Sequence, residues 1–585
     1  MAAGTTFTLT ATNASGTVTA STVVTVAAAT PPTITSFMAT LATLPLGGGT
    51  VTLTWASAGA TTLTIDNGVG DVSGLTGKSV AVAANTTFML TAANPAGSVT
   101  STSTVAVASG NELFFDVANG ADTNPCTAAA PCRSLGTSLN RAAPGTTFTL
   151  ADGVYGATSE GHGSLTIPDG AIVRAAHPGA ATLASLLVNV PGSATFDGVV
   201  IGPEGPAATY CGAIAASPDS GNATLTLIGV FSNCVKWLNL SGNVKATMTP
   251  GALPGGVYTT GITGAGSPIN TSQWVSFGGG AELLVTGGVV EGSHAGSAFP
   301  AAAGVFYLPV HGTLTLDGVT VRNWPFPAFF ATASALTLKN GTVIDNVGDP
   351  ASATGCVILT GNRDASLTMD QATVSNAPGN GICVDANTLN AIKPAIQLTN
   401  STITHVAGAA IRSHVGGAVG PAIVADGLAL TANGWGIYWD GGSGTTMDLH
   451  NVTITGSTVI AAGAGIYFDM LQSPASFKLR ASTVSGNAGD GVSLTDTAGG
   501  VVDLGISLDP GGNTIAGNGA IGIHLGTFGA AAVINAIGNT WKASVQGADA
   551  GGHYSVPAAF APVPKTGPAS GPNFTIDNAV STLNL

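Results

Sequence analysis

Six five-residue segments in the second half of the chain repeat one pattern: a small residue, an aliphatic, a variable position, a large apolar residue and, in all but the last segment, a polar residue. They are "GICVD" (Gly381–Asp385), "AIRSH" (Ala410–His414), "GIYWD" (Gly436–Asp440), "GIYFD" (Gly465–Asp469), "GVSLT" (Gly491–Thr495) and "GIHLG" (Gly522–Gly526), spaced 26–31 residues apart. A repeat of that length holds one supersecondary unit, and stacking such units buries a continuous core. Strand alternation sends Ile382, Ile411, Ile437, Ile466, Val492 and Ile523 inward, together with Val384, Trp439, Phe468, Leu494 and Leu525. Ser413 is the one polar residue in these columns. Stacked apolar columns fix the register of a parallel solenoid, because a slip of one residue would expose all of them.

A second set of segments keeps the same period. It runs "VTVRN" (Val319–Asn323), "GTVIDN" (Gly341–Asn346), "ATVSN" (Ala372–Asn376), "STITH" (Ser401–His405), "VTITG" (Val452–Gly456), "STVSGN" (Ser482–Asn487) and "NTIAGN" (Asn513–Asn518). Aligned on their threonines, adjacent coils lie 22 to 31 residues apart, one turn of a three-sided solenoid. Asn-x-Ser/Thr matches such as Asn222, Asn400 and Asn451 fall at the coil corners, where turn chemistry accounts for them.

Ahead of these coils, "ELFFDVANGADTNPCTAAAPCRSLGTSLNRAAPGTTFTLADGVYG" (Glu112–Gly156) reads as a strand, a Cys-bounded turn, a helix-like stretch around Ser134–Ala143 and a strand ending in "DGVY". This segment resembles the first turn of secreted right-handed parallel β-helix proteins, the pectate-lyase-like superfamily. The resemblance implies that the short helix caps the open end of the solenoid. Enzymes of that kind would carry further signatures. Polygalacturonase-like hydrolases have a paired Asp-Asp and a downstream Gly-His-Gly; this chain has no Asp-Asp, and its "GHG" (Gly161–Gly163) stands in the first coil. Pectate-lyase-like enzymes use several Lys and Arg around an acidic calcium site, whereas 15 basic residues serve this whole chain.

The N-terminal region is of another kind. Residues 30–109 form about seven short alternating segments broken by Gly, Asn and Pro, with Trp55 as a candidate core residue. They resemble the bacterial immunoglobulin-like repeats of secreted and surface proteins. "TTFTLTATNASGTVTASTVVTVA" (Thr5–Ala27) matches "TTFMLTAANPAGSVTSTSTVAVA" (Thr86–Ala108) at 13 of 23 positions without a gap. The expected organisation is therefore the second half of one such module (residues 1–29), a complete sandwich (30–109), a right-handed parallel β-helix with a short N-terminal capping helix (110–555), and a Pro/Gly linker with a C-terminal strand (556–585). The fold class is all-β. No basic stretch followed by an apolar run opens the sequence, so a secretory leader has been removed or the sequence is part of a longer chain.

Composition narrows the partners. Charged residues are 8% of the chain and the net charge is −14. No basic stripe suits nucleic acid or an anionic membrane, and no apolar run reaches the roughly 18 residues of a membrane helix. The cysteines form an even set: Cys126 with Cys132, Cys211 with Cys234, and Cys356 with Cys383, the last two pairs about one coil apart. Three disulfides in an oxidising compartment are expected, hence a secreted or bacterial cell-surface protein.

The register places Cys383, Arg412, Tyr438, Tyr467, Ser493 and His524 on the outer face, beside Asp385, His414, Asp440, Asp469 and Thr495. Tyr438, Asp440, Tyr467 and Asp469 are candidate carbohydrate contacts, the rings for stacking and the carboxylates for hydroxyls. In a lyase reading, Arg412, His414 or Tyr438 would take the proton alpha to a uronate carboxylate, with Ca2+ at Asp440 and Asp469. The missing enzyme signatures favour a non-enzymatic structural or adhesive protein; the alternative is a polysaccharide-active enzyme (a uronate lyase or glycoside hydrolase) or a carbohydrate-binding protein acting on a cell-surface or matrix polysaccharide. The tail "TIDNAVS" (Thr575–Ser581) matches "TIDNGVG" (Thr64–Gly70) at five of seven positions. It is either a chance likeness or a donor strand. In the second case Phe574, Ile576 and Val580 of one molecule would meet Phe7 and Leu9 of the next, giving head-to-tail filaments.

Overall fold

The computed structural model describes residues 4–584 except for 26–29, 45–48, 108–111, 137–138, 140–141, 157–162, 204–210, 219–220, 233, 235–236, 261–272, 293–303, 309–310, 326, 332, 349–354, 361–364, 385–394, 414–419, 441–443, 461–463, 470–475, 497–500, 507, 520–521, 529–532, 536–538, 543–553, 556–573 and 577–581. The chain divides into two compact units, Met1–Asn111 and Glu112–Leu585. Both are built from strands.

In the first unit the strands are β1 (Thr5–Asn13), β2 (Gly16–Val24), β3 (Thr33–Ala39), β4 (Thr43–Leu44), β5 (Gly49–Ala58), β6 (Thr62–Ile65), β7 (Gly70–Asp71), β8 (Gly77–Val82), β9 (Thr86–Asn94) and β10 (Gly97–Val107). One sheet has the order β3-β5-β8 and another β4-β10-β9-β6-β7. Their apolar inner faces meet in one core that holds Phe37, Leu53, Trp55, Ile65, Phe88, Leu90 and Val105. This is a β-sandwich, each strand alternating core and solvent residues. β1 and β2 form a separate two-stranded sheet.

The second unit is a parallel β-solenoid. Successive coils add one strand to each of three faces. The first face is a 17-stranded sheet, the second comprises a 4-stranded and an 11-stranded sheet, and the third is a 16-stranded sheet. One coil is Thr313–Asp317 on the first face, Thr320–Trp324 on the second and Phe329–Ala331 on the third. The inward columns expected on the third face are present as far as Val492: Ile382 pairs with Ile411, Ile411 with Ile437, Ile437 with Ile466 and Ile466 with Val492, while the side chains of Ile523 and Leu525 lie outside the described ones. All five are fully buried. Each such side chain contributes about 1.5–3 kcal/mol relative to exposure. Earlier in the same face the core is aromatic: Trp237 and Trp274 meet tilted at 5.5 Å between centroids, Trp274 and Phe306 edge-on at 5.7 Å, and Phe306 and Phe329 stacked at 5.6 Å. Ser413 is satisfied locally: its Oγ accepts the Asp440 N–H at 3.0 Å.

The corners explain where the coils bend. Between the first and second faces the chain passes through a left-handed residue: Gln371 (φ 55°), Asn400 (47°), Asn451 (51°) and Ala481 (48°) occupy equivalent places. Between the second and third faces Asn323 (φ 61°), Asn346 (51°), Asn376 (54°) and His405 (55°) do the same. Asn tolerates this region better than most residues, which accounts for its frequency here. At the second corner buried asparagines follow the left-handed residue and bond along the axis. Asn487 Oδ1 accepts the Ser457 N–H at 3.0 Å, Asn487 Nδ2 donates to Ile454 O at 3.2 Å, and Asn518 Oδ1 accepts the Asn487 N–H at 3.2 Å.

Several expectations change. Thr342 does not join the threonine column: Val343 pairs with Thr320 and Thr373, while Thr342 is buried at the corner and its Oγ1 donates to Leu316 O at 3.0 Å. Gly341 (φ 80°) extends that corner by one residue. Of the expected capping helix, Gly136 and Leu139 have 3-10 geometry, and 137–138 and 140–141 lie outside the described residues. Leu135 and Leu139 nevertheless pack on the solenoid core. The tail is not free to be donated: Phe574–Ile576 pairs in parallel with Ile523–Leu525, and Thr582–Asn584 with Val533–Asn535. The open edge of the last coil takes the nearest strand of its own chain, which is present at far higher effective concentration than another molecule's. Val580 lies outside the described residues, and Phe7 and Leu9 are exposed on β1.

Candidate outer-face site

The candidate residues sit on three neighbouring strands of the third face: Ala409–Ser413, Trp435–Asp440 and Ile466–Asp469. Alternation around buried Trp439 turns Tyr438 and Asp440 to the same outer side. Parallel register then sets Arg412 beside Tyr438, Tyr438 beside Tyr467, and the Asp440 backbone beside that of Asp469.

The side chains form a continuous stack along the solenoid axis. Tyr438 and Tyr467 have ring centroids 4.9 Å apart and planes 16° from parallel. The Arg412 guanidinium carbon lies 5.6 Å from the centroid of the Tyr438 ring, a cation–π contact of about 0.5–1 kcal/mol at an exposed site. Trp435 meets Tyr438 edge-on at 5.6 Å, and its buried Nε1–H has no hydrogen-bond partner among the described residues. Arg412, Trp435, Tyr438, Asp440 and Tyr467 are all half-buried.

This geometry alters how the rings would be used. One face of Tyr438 is next to Arg412 and the other next to Tyr467, so neither face of the ring is open for stacking.

Other predicted members of the outer column are placed differently. Cys383 is buried because its Sγ bonds to Cys356 in the preceding coil. Ser493 is also buried; it pairs with Tyr467 and is too short to reach past that ring. His414 and Asp385 lie outside the described residues, and Asp469, Thr495 and His524 are described only as strand backbone. Among the described residues no group of three or more His, Cys, Asp or Glu is arranged to hold a metal ion. The sequence reading missed Trp435, whose signal was an aromatic three residues before Tyr438 at the strand start.

The three disulfides form as paired: Cys126–Cys132, Cys211–Cys234 and Cys356–Cys383, with Cα–Cα distances of 4.6, 5.7 and 5.8 Å. The last two join adjacent coils. No helix among the described residues is long and apolar enough to cross a membrane.

No protein-family profile matches the chain, and no curated protein matches it in sequence. Solved structures with some likeness are parallel β-helix enzymes. A family 28 exopolygalacturonase from Yersinia enterocolitica is 12% identical over 88% of this chain and 96% of its own, with a TM-score of 0.21. A PL6 alginate lyase bound to a trisaccharide is 13% identical over 74% and 86%, with a TM-score of 0.18. The A-module of the mannuronan C-5 epimerase AlgE6 from Azotobacter vinelandii is 12% identical over 77% and 93%, with a TM-score of 0.19. Similarity at this level says nothing about what this chain binds or converts.

Proposed function

We propose that the protein is a secreted β-solenoid that binds an extracellular polysaccharide along the outer side of its third face. The observation that carries this reading is the Arg412–Tyr438–Tyr467 stack, with Asp440 beside it on the same outer side. Aromatic edges, phenol hydroxyls, a guanidinium and a carboxylate supply both donors and acceptors for a polyhydroxylated chain. Strands about 4.8 Å apart repeat these groups along the axis, which suits an extended polymer. Nucleic acid would also use aromatics and Arg, but the net charge of −14 opposes a polyanion of that density. Disulfides joining adjacent coils support an oxidising, extracellular setting.

The test is a polysaccharide array with the purified chain, run in parallel with reducing-end and unsaturated-product assays. Retention on a polysaccharide without product formation is the expected result. Product formation abolished by Tyr438→Ala would replace this reading with the enzymatic one, and absence of retention on every polysaccharide would end both.

A further inference from the structure

The threonine-bearing segments of the second face form a two-column array that the polysaccharide reading does not use. Its strands are Thr373–Ser375, Thr402–Thr404, Ala429–Thr431, Thr453–Thr455, Thr483–Ser485 and Thr514–Ala516. Each pairs with the next without a register shift. The middle residue of every strand, from Val374 to Ile515, is buried, which turns its two neighbours outward. One outward column runs from Thr373 to Thr514 and is broken only by Ala429; the other, from Ser375 to Ser485, is Ser or Thr throughout. Hydroxyls of adjacent coils are aligned: Thr431 Oγ1 donates to Thr404 Oγ1 at 2.8 Å. Neither column holds a charged or an aromatic residue, although the first-face strands of the same coils carry Asp370, Asp426, Asp448, Lys478, Arg480 and Asp503.

This chemistry excludes most ligands. Without a ring there is no platform for a sugar, and without aromatic or Arg anchors there is no centre for a protein interface. Without charge there is no counter-ion for an ionic ligand. What remains is a regular net of hydroxyls and methyls, repeating at about 4.8 Å along the axis and about 6.6 Å along each strand. Threonine is restricted at χ1, so the net is ordered before anything binds. Water oxygens on the prism faces of ice form a rectangular net with comparable short and long repeats. Each neutral hydroxyl can donate one hydrogen bond to such a lattice and accept two from it, whereas a charged group with its own hydration shell would interrupt it. We propose that the second face, between Thr373 and Thr514, binds ice. The proposal is independent of the polysaccharide reading, which uses the third face.

Partition into ice grown slowly from a solution of the full chain tests it, with thermal hysteresis measured on the same samples. The wild type is enriched in the ice over a co-dissolved albumin and opens a gap between melting and freezing points. Thr453→Lys and Thr455→Lys each lose most of both effects while keeping the wild-type circular dichroism, and polysaccharide retention is unchanged. Gln397→Lys, which puts the same charge on the exposed first face, keeps both effects. A wild type neither enriched nor hysteretic overturns the proposal, and so do lysine variants that match the wild type. Equal loss in Gln397→Lys also overturns it, because the effect would then not come from the second face.

Discussion

Tyr438 and Tyr467, one coil apart, stack with centroids 4.9 Å apart and planes 16° from parallel, and Arg412 lies over the remaining face of Tyr438. All three project from strands whose inner side chains are fully buried, so the solenoid core fixes their positions. Truncating them should disturb the fold little. Arg412→Ala and Tyr467→Ala are each expected to lower stability by less than about 1.5 kcal/mol, the scale of one aromatic or cation–π contact. Urea unfolding followed by far-UV circular dichroism measures this. A larger loss would mean that the stack supports the coil rather than a ligand.

The buried asparagine ladder predicts a much larger effect. Asn487→Leu leaves the buried Ser457 N–H and Ile454 C=O without their side-chain partners. A loss of about 2–4 kcal/mol is expected. Ser457 interrupts the ladder, and its buried Oγ has no partner among the described residues. Ser457→Asn places the ladder's own residue type between Asn433 and Asn487, and a gain of about 1 kcal/mol is expected. Hydrogen exchange at the amides of these coils reads both changes where unfolding of a long repeat array is not two-state.

Much of the fold was legible because period-two alternation and a 26–31-residue repeat reinforce one another over many coils. Ile411 and Trp439 could be assigned inward from pattern alone. Corners were harder: a left-handed residue is cheap for Gly or Asn, but Ala481 adopts it too, and Gly341 lengthens one corner and shifts Thr342 out of its column. The strand register placed Arg412, Tyr438 and Tyr467 together, yet not which way the rings face, because side-chain torsions are set by neighbours in other coils. The likeness of the tail to Thr64–Gly70 could not say which edge the strand joins, for a related reason. A Thr-Ile alternation suits any strand edge, and the nearest edge is the last coil of its own solenoid.

The disulfide across adjacent coils gives a further test. Cys356–Cys383 closes a loop of 27 residues, for which the chain-entropy argument gives about 3–4 kcal/mol. The double variant Cys356→Ser/Cys383→Ser should unfold at clearly lower temperature under non-reducing conditions. An unchanged midpoint would show that the coil stack alone fixes these strands.

Acid should destabilise the solenoid through specific carboxylates. The hydrogen bond from Arg480 holds Asp509 below the usual carboxylate range, the bond from Asn340 does so for Asp317, and the bond from His450 for Asp426. A carboxylate with a lowered folded-state pKa contributes stability above its unfolded value, near 3.9, and loses it as pH falls through the folded value. The loss therefore belongs below about pH 4. Asp197 has the opposite sign: burial raises its pKa, with Arg174 opposing. Its unfavourable effect sets in as pH rises above the unfolded value. Asp197→Asn should stabilise the protein at pH 7 and not at pH 3, and Asp509→Asn should flatten the acid limb, both read from denaturation midpoints against pH.

The central claim, a polysaccharide-binding ridge on the third face, is tested most directly by titration calorimetry of the full chain with the polysaccharide that retains it best. Wild-type protein should bind, and Tyr438→Ala and Tyr467→Ala should each bind at least about tenfold more weakly while unfolding at nearly the wild-type midpoint, as truncation of an aromatic contact at the centre of an interface does. Unchanged affinity in both variants would contradict the account.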